Sequence, residues 1–438
     1  MPDLEGFRWA PTNAPLATSR TDDIWFFDAN TGWAVNSDGD ILSTEDGGEQ
    51  WTRAFHAEGV YLRALAFTDR ENGFVGTLSA VDRLFRTSDG GRTWERAGNL
   101  PAGAPAAICG LTTPDSTTIF GSGTNFPNVR PGVIRSTDRG QTWSVLDLRG
   151  QATLLVDIYF KNPLEGWVVG GKSDVPSTSR RFVKPVVLAT TDGGETWVNR
   201  LEGVTASWPQ GEWGWKIFFV NEQVGYVSLE SFERGAILKT VDGGLTWERL
   251  PVADPQGNAN LEGIGFVTET VGWVGGWGDA NFQGGFSSGT ADGGGTWRNA
   301  NEIGRFLNRF RFIREPELVG YASGDTVYKY SSAPVLGPLD LSGPLRIEGT
   351  LALRQSGEQL GDLHLIYRLP RKAGRVRVDV WDRFGEHLTT VNQQNVPAGE
   401  ATVALPVARA ESDSTRGRYL LVRMDADGQA ESGAFLLQ

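Results

Sequence analysis

The chain has 438 residues with a formal net charge of −12; 39% are hydrophobic, and it holds 57 Gly, 16 Trp and one Cys. That length and composition suit a turn-rich all-β protein of two domains, and one cysteine excludes an intramolecular disulfide framework. The acidic balance argues against generic binding to nucleic acid or anionic membrane, and no run approaches the roughly 20 apolar residues of a membrane span.

In chain order, Phe7-Arg8-Trp9-Ala10 has the alternation of a short strand with no partner before it. Six copies of one phrase follow: STEDGGEQW, RTSDGGRTW, RSTDRGQTW, ATTDGGETW, KTVDGGLTW and GTADGGGTW, ending at Trp51, Trp94, Trp143, Trp197, Trp247 and Trp297. Their aspartates, Asp46, Asp89, Asp138, Asp192, Asp242 and Asp292, are spaced as propeller blades are. Asp binds backbone amides in tight turns, Gly supplies positive φ, and Ser or Thr adds a local bond, so each copy predicts a self-satisfied hairpin tip. The Thr-Trp that follows begins the return strand.

A second register recurs at Gly32-Trp33, Gly73-Phe74, Gly166-Trp167, Gly225-Tyr226, Gly272-Trp273 and Gly320-Tyr321, with a degenerate copy at Phe120-Gly121. Before five of these stand Phe26, Phe67, Phe160, Phe219 and Phe266, each preceded by Ile24, Leu65, Ile158, Ile217 or Ile264 in strand alternation. The two registers predict a seven-bladed β-propeller over residues 1–332. Its last copy, 306–330, lacks a box, so the N-terminal strand is expected to complete it, with Trp9 as a packing residue. Deleting residues 1–12 should then open the ring.

Residues 333–344, with Gly-Pro pairs at 337–338 and 343–344, are expected to be a linker. Beyond it, LRIEGTLAL, LHLIYRLP, RVRVDVW, TVALP and RYLLVRM are short alternating runs separated by turns. They predict a small Ig-like β-sandwich over 345–438.

The repeated phrase is identified as the Asp-box, or BNR repeat. In the families that carry it the box fastens blades, which implies that its six Asp and six Trp are structural. Boxes together with the Gly-Trp-x-Val strand resemble the photosystem II stability and assembly-factor family over residues 1–330. That resemblance implies an assembly scaffold that binds a membrane partner and performs no chemistry. The family uses an arginine-rich patch and has no appended sandwich, whereas this chain is acidic and carries one. The stretch 363–388, with Pro397-Ala398-Gly399 and Gly417-Arg418-Tyr419, resembles the Ig-like domains of flagellar hook-capping proteins and of type IX sorting. The terminal GAFLLQ lacks the basic tail of the sorting pattern.

Residues 166–173, GWVVGGKS, match the phosphate-loop pattern, but they coincide with a repeat strand and Pro176 follows where a helix would be needed. His56, His364 and His387 are scattered, and Asp38, Asp40, Asp425 and Asp427 read as turn residues, so no metal and no cofactor is expected. Asp-box propellers include sialidases, yet the sialidase arginine cluster, its Phe/Tyr-Arg-Ile-Pro motif and its Tyr/Glu pair have no counterpart here. Inner strands carry Arg63, Asp157, Lys216, Glu262, Arg309 and Arg311. Asp157 and Glu262 are the carboxylates that a glycosidase would use; charge compensation around a channel is the other reading.

Loop lengths are one-sided. Insertions at 121–132, 171–185, 275–287, 202–213 and 252–260 all fall on the face opposite the boxes. There stand Trp208, Trp213, Trp277, Phe282, Arg180, Arg181 and Lys184, the aromatic and arginine composition of interaction hot spots. The expectation is a non-enzymatic, extracytoplasmic scaffold that binds a protein, such as a membrane-protein complex, through this face. A leader is expected to have been trimmed; a cytoplasmic location is the alternative. The competing function is a carbohydrate-active propeller, lectin-like or glycosidase.

Overall fold

The computed structural model describes residues 4, 6–124, 130–175, 179–332, 348–355, 363–369, 371–382, 387–405, 418–427 and 429–437. The proposed linker at 333–344 lies outside them. The chain divides into two compact units, 1–331 and 332–438.

Among the described residues of the first unit, strands run in antiparallel quartets. The first quartet is Thr21–Phe26, Gly32–Asn36, Asp40–Thr44 and Thr52–His56. The fifth and sixth are joined by a single bridge, Glu230 to Asn260. In the last quartet, Phe7–Pro11 pairs with Val327–Ser332, followed by Val319–Ser323 and Arg309–Ile313. Each innermost strand lies against that of the next quartet, and Arg309–Ile313 lies against Thr21–Phe26. Trp9 is buried among Trp273, Phe310, Phe312 and Tyr330.

The Gly-aromatic register has a steric cause. A Cβ on Gly32 would stand 2.3 Å from the Phe26 ring; on Gly166, 2.4 Å from Phe160; and on Gly272, 2.3 Å from Phe266. The phenylalanine of each inner strand thus occupies the space that a side chain on its own second strand would need. Its other face receives the aromatic of the preceding sheet: Tyr226 stacks on Phe266 at 3.7 Å, Phe120 on Phe160 at 3.7 Å, and Tyr321 on Phe26 at 3.5 Å.

Box hairpins satisfy their own polar groups. In the second copy the Thr87 hydroxyl donates to Asp89 Oδ1 (2.8 Å) and accepts from Gly91 N (2.9 Å), while Asp89 accepts from Thr93 N (3.0 Å) and its hydroxyl (2.6 Å). Trp94 Nε1 donates back to Gly91 O at 3.0 Å. The other copies repeat the Thr/Ser–Asp bond. Trp51 departs, donating instead to Thr12 Oγ1 at 3.2 Å. Gly90 and Gly91 hold φ of +74° and +80°, a conformation open to glycine; the third copy places Arg139 there at +59°. Each tip also bonds to the turn between the first two strands, as Gly193 N to Leu164 O at 2.9 Å, so boxes and those turns share one face.

The second unit pairs Glu348–Gln355, Leu363–Leu369 and Gly399–Leu405 in one sheet, and His387–Val396, Ala373–Asp382, Arg418–Ala426 and Gln429–Leu437 in another. Leu365, Tyr367, Val403 and Leu405 of the first share one buried cluster with Val376, Val378, Val380, Val422 and Met424 of the second.

Candidate functional site

Two places concentrate chemistry: the channel at the centre of the inner strands, and the face opposite the boxes. The inner strands reach the channel through register shifts. Pairing skips between Thr21 and Asp23, Leu62 and Ala64, Leu155 and Asp157, Gly214 and Ile217, and Leu261 and Gly263. The skipped residues include Asp22, Arg63, Lys216 and Glu262. A bulge re-aims the extra side chain, and here it turns charged groups inward.

Arg309 is the hub of that network. Its Nη1 and Nη2 donate to Asp157 at 3.0 and 2.8 Å, and its Nε to Asp23 at 3.0 Å. Arg20 donates to Asp22 Oδ1 through Nε (3.1 Å) and to Glu262; Arg63 donates to Asp22. Lys216 Nζ lies 3.9 Å from Asp157. Burial alone would raise the Asp157 pKa, yet Arg309 and Lys216 outweigh it and hold it below the usual carboxylate range. Burial and the neighbouring Arg309 push Lys216 down to about 8. Burial and the nearby Glu262 push Glu230 up to about 8.

These bonds dispose of the glycosidase pair. Asp157 and Glu262 are both fully buried, the first clamped by Arg309, the second by Arg20 and by Trp277 Nε1 at 2.8 Å. A general acid or nucleophile needs access to substrate, and neither group has it. Sequence reasoning found Arg63, Lys216, Glu262, Arg309 and Asp157 but missed Arg20, Asp22, Asp23, Glu230 and Asn308, whose side-chain amide donates to Asp22 O at 2.7 Å. A bulge in the strand Thr21–Phe26, invisible in a regular two-residue alternation, hid Asp22. The phosphate-loop match is strand throughout as far as Ser173, and the next helical element among the described residues is a single 3-10 turn at Arg180–Phe182, too short to offer a phosphate-binding N-terminus.

The partner-binding residues divide. Trp213 is a correction: its side chain is fully buried against Leu154, Val156, Val183 and Trp215, so it packs the core and cannot meet a partner. Trp277 is half-buried, donating to Glu262 with Arg20 stacked 4.6 Å over its ring, and so caps the channel. Trp208 is half-buried against the cluster of Trp167 and Trp247. Lys184 donates to the carbonyls of Thr205 and Ala206, both at 2.9 Å, beside a cleft of about 510 Å³ that Lys172, Asp174 and Asn199 also line. Arg180, Arg181 and Phe282 come together with Phe232, which the sequence reading passed over. The insertions are shorter than expected, because Gly166–Ser173 and Val183–Thr190 continue as strands to Ser173 and from Val183.

The family described as photosynthesis system II assembly factor Ycf48 matches residues 2–127. The photosystem II assembly lipoprotein Ycf48 of Synechococcus sp. (strain CC9902) is 23% identical over 231 residues, 52% of this chain and 62% of that one. The chain is an Asp-box β-propeller that resembles the photosystem II assembly factor. The structure of Ycf48 bound to a D1 peptide superimposes with a TM-score of 0.51 at 16% identity, covering 76% of this chain and 99% of that one. Ycf48 from Cyanidioschyzon merolae gives 0.52 at 17%, covering 74% and 98%. An ancestral GH74 enzyme gives 0.55 at 12%, covering 98% of this chain and 63% of that one. At these identities the structural likenesses establish the fold alone. Among the described residues no helix is long and apolar enough to cross a membrane.

Proposed function

We propose that this chain is a non-enzymatic scaffold that binds a protein belonging to a membrane-associated complex, on the extracytoplasmic side, through the face opposite the boxes. The observation that carries this reading is the contrast in what the chemistry is used for. The buried acid candidates are consumed by ion pairs, whereas Phe182 and Phe282 are exposed beside arginine. Similarity to an assembly lipoprotein supports the partner class and the compartment. In this reading the C-terminal unit is an Ig-like module, 345–438, that docks or anchors the propeller.

The test is site-specific photocrosslinking of the full chain in membranes of the source organism. A photoreactive residue at position 182 should trap a membrane-complex subunit; the same residue at Leu245, exposed on the box face, should not. Hydrolysis of a sialoside or β-glucan that disappears in Asp157→Asn would overturn the proposal in favour of a glycosidase.

A further inference from the structure

Connections from the fourth, fifth and sixth sheets meet in one side-chain cluster on the face opposite the boxes. The Arg180 guanidinium lies 5.1 Å over the Trp213 ring, and that of Arg181 lies 5.2 Å over Phe232. Phe232 meets Trp213 at 5.5 Å and Phe282 at 5.9 Å, both edge-to-face. Trp213 forms the buried floor, while Arg181, Phe182 and Phe282 reach solvent.

Phe282 is held there against its own backbone preference. Its φ is +63°, a conformation that a bulky side chain adopts only when the surrounding structure imposes it. The Asp279 carboxylate imposes it, accepting from Asn281 N at 2.8 Å and Gln283 N at 3.0 Å. An exposed aromatic kept in a strained turn is a feature that folding does not require.

Charge and ring geometry select the occupant. In a chain of net charge −12, Arg181 makes no ion pair among the described residues, and its guanidinium is fixed by stacking rather than by a carboxylate. A stacked guanidinium keeps its N–H edge outward and matches a carboxylate in the bidentate mode. The broad tryptophan face on which a sugar ring stacks best is not offered here, because the one Trp in the cluster is buried beneath Arg180. A polyanion such as nucleic acid would be repelled by the rest of the surface.

We propose that this cluster docks an extended protein segment in which an acidic side chain stands next to an aromatic or branched aliphatic one. The acid engages Arg181 and the apolar group packs between Phe182 and Phe282. The inference rests on the scaffold reading above and names the chemistry of its partner.

The test is a displayed library of linear dodecapeptides selected on the full chain, with affinities of the winners then measured by fluorescence anisotropy. Selection should enrich Asp or Glu beside an aromatic or aliphatic residue. Arg181→Gln and Phe282→Ser should each weaken the selected peptides about tenfold with the thermal midpoint unchanged, and Arg181→Lys should fail to restore them, because lysine keeps the charge but not the planar fork. Absence of that enrichment, equal binding to Arg181→Gln, or binding of a xyloglucan oligosaccharide that Phe282→Ser abolishes would each overturn the inference. Crosslinking from position 182 to a membrane protein without the acidic signature would leave the scaffold reading standing and remove only this one.

Discussion

At the box end of the strands, six hairpins repeat one set of short-range bonds, each between residues no more than four apart. At the opposite end no turn repeats, and contacts join different sheets: Phe232 with Phe282, Trp277 with Phe306. The channel between them is assembled over long separations, with Arg20 reaching Glu262 and Arg309 reaching Asp23. Stability that can be written locally is written six times. Chemistry that differs from blade to blade sits where the repeat lets go, because a rigid scaffold allows its loops to vary.

The largest effect expected from breaking this division is in the channel. Arg309→Leu removes the cation shared by Asp23 and Asp157, both fully buried, and should cost about 3–5 kcal/mol in urea unfolding, as uncompensated buried charges do. A loss within error would mean that water, not Arg309, balances those carboxylates.

Next comes the steric register. Gly272→Ala places a methyl inside the Phe266 ring and should cost about 1–3 kcal/mol, with the Tyr226–Phe266 stack displaced. A crystal structure of the variant with that stack intact would contradict the packing account.

The two kinds of carboxylate should then respond to pH in opposite directions. Hydroxyl and backbone donors of the threonine four residues on hold Asp89, Asp138, Asp192 and Asp292 at about 2. Their stabilisation is therefore complete above the unfolded pKa near 4 and is lost as pH falls toward about 2; being exposed, each contributes little alone. Glu230, raised to about 8, keeps a proton in the folded state that the unfolded chain releases near 4.5. Its contribution to stability falls as pH rises from there to about 8, so Glu230→Gln should raise the thermal midpoint at pH 8 and leave it nearly unchanged at pH 4. A variant that is equally stabilised at both pH values would show that Glu230 does not titrate in this range.

The smallest effect is on the variable face. Arg181→Gln and Phe282→Ala should alter unfolding by less than about 0.5 kcal/mol, which guanidinium titration can check, because both side chains are exposed.

The boxes, the Gly-aromatic strands and the strand Phe7–Pro11 with its Trp9 could all be read from the sequence. Each depends on interactions within about ten residues or on a period, and both survive in one dimension. Which charged groups meet across the channel was beyond that reading, since Asp22 and Lys216 turn inward only because a bulge shifts the pairing by one residue. The same limit put Trp213 on the wrong side of the surface: its strand begins at Glu212, one residue earlier, so what looked like an exposed loop aromatic is the floor on which Arg180 and Phe232 rest. Local hydrogen bonding and alternation determined the hairpins and strands; the closing of the inner strands around one axis decided which side chains became core, which became paired charge, and which remained exposed.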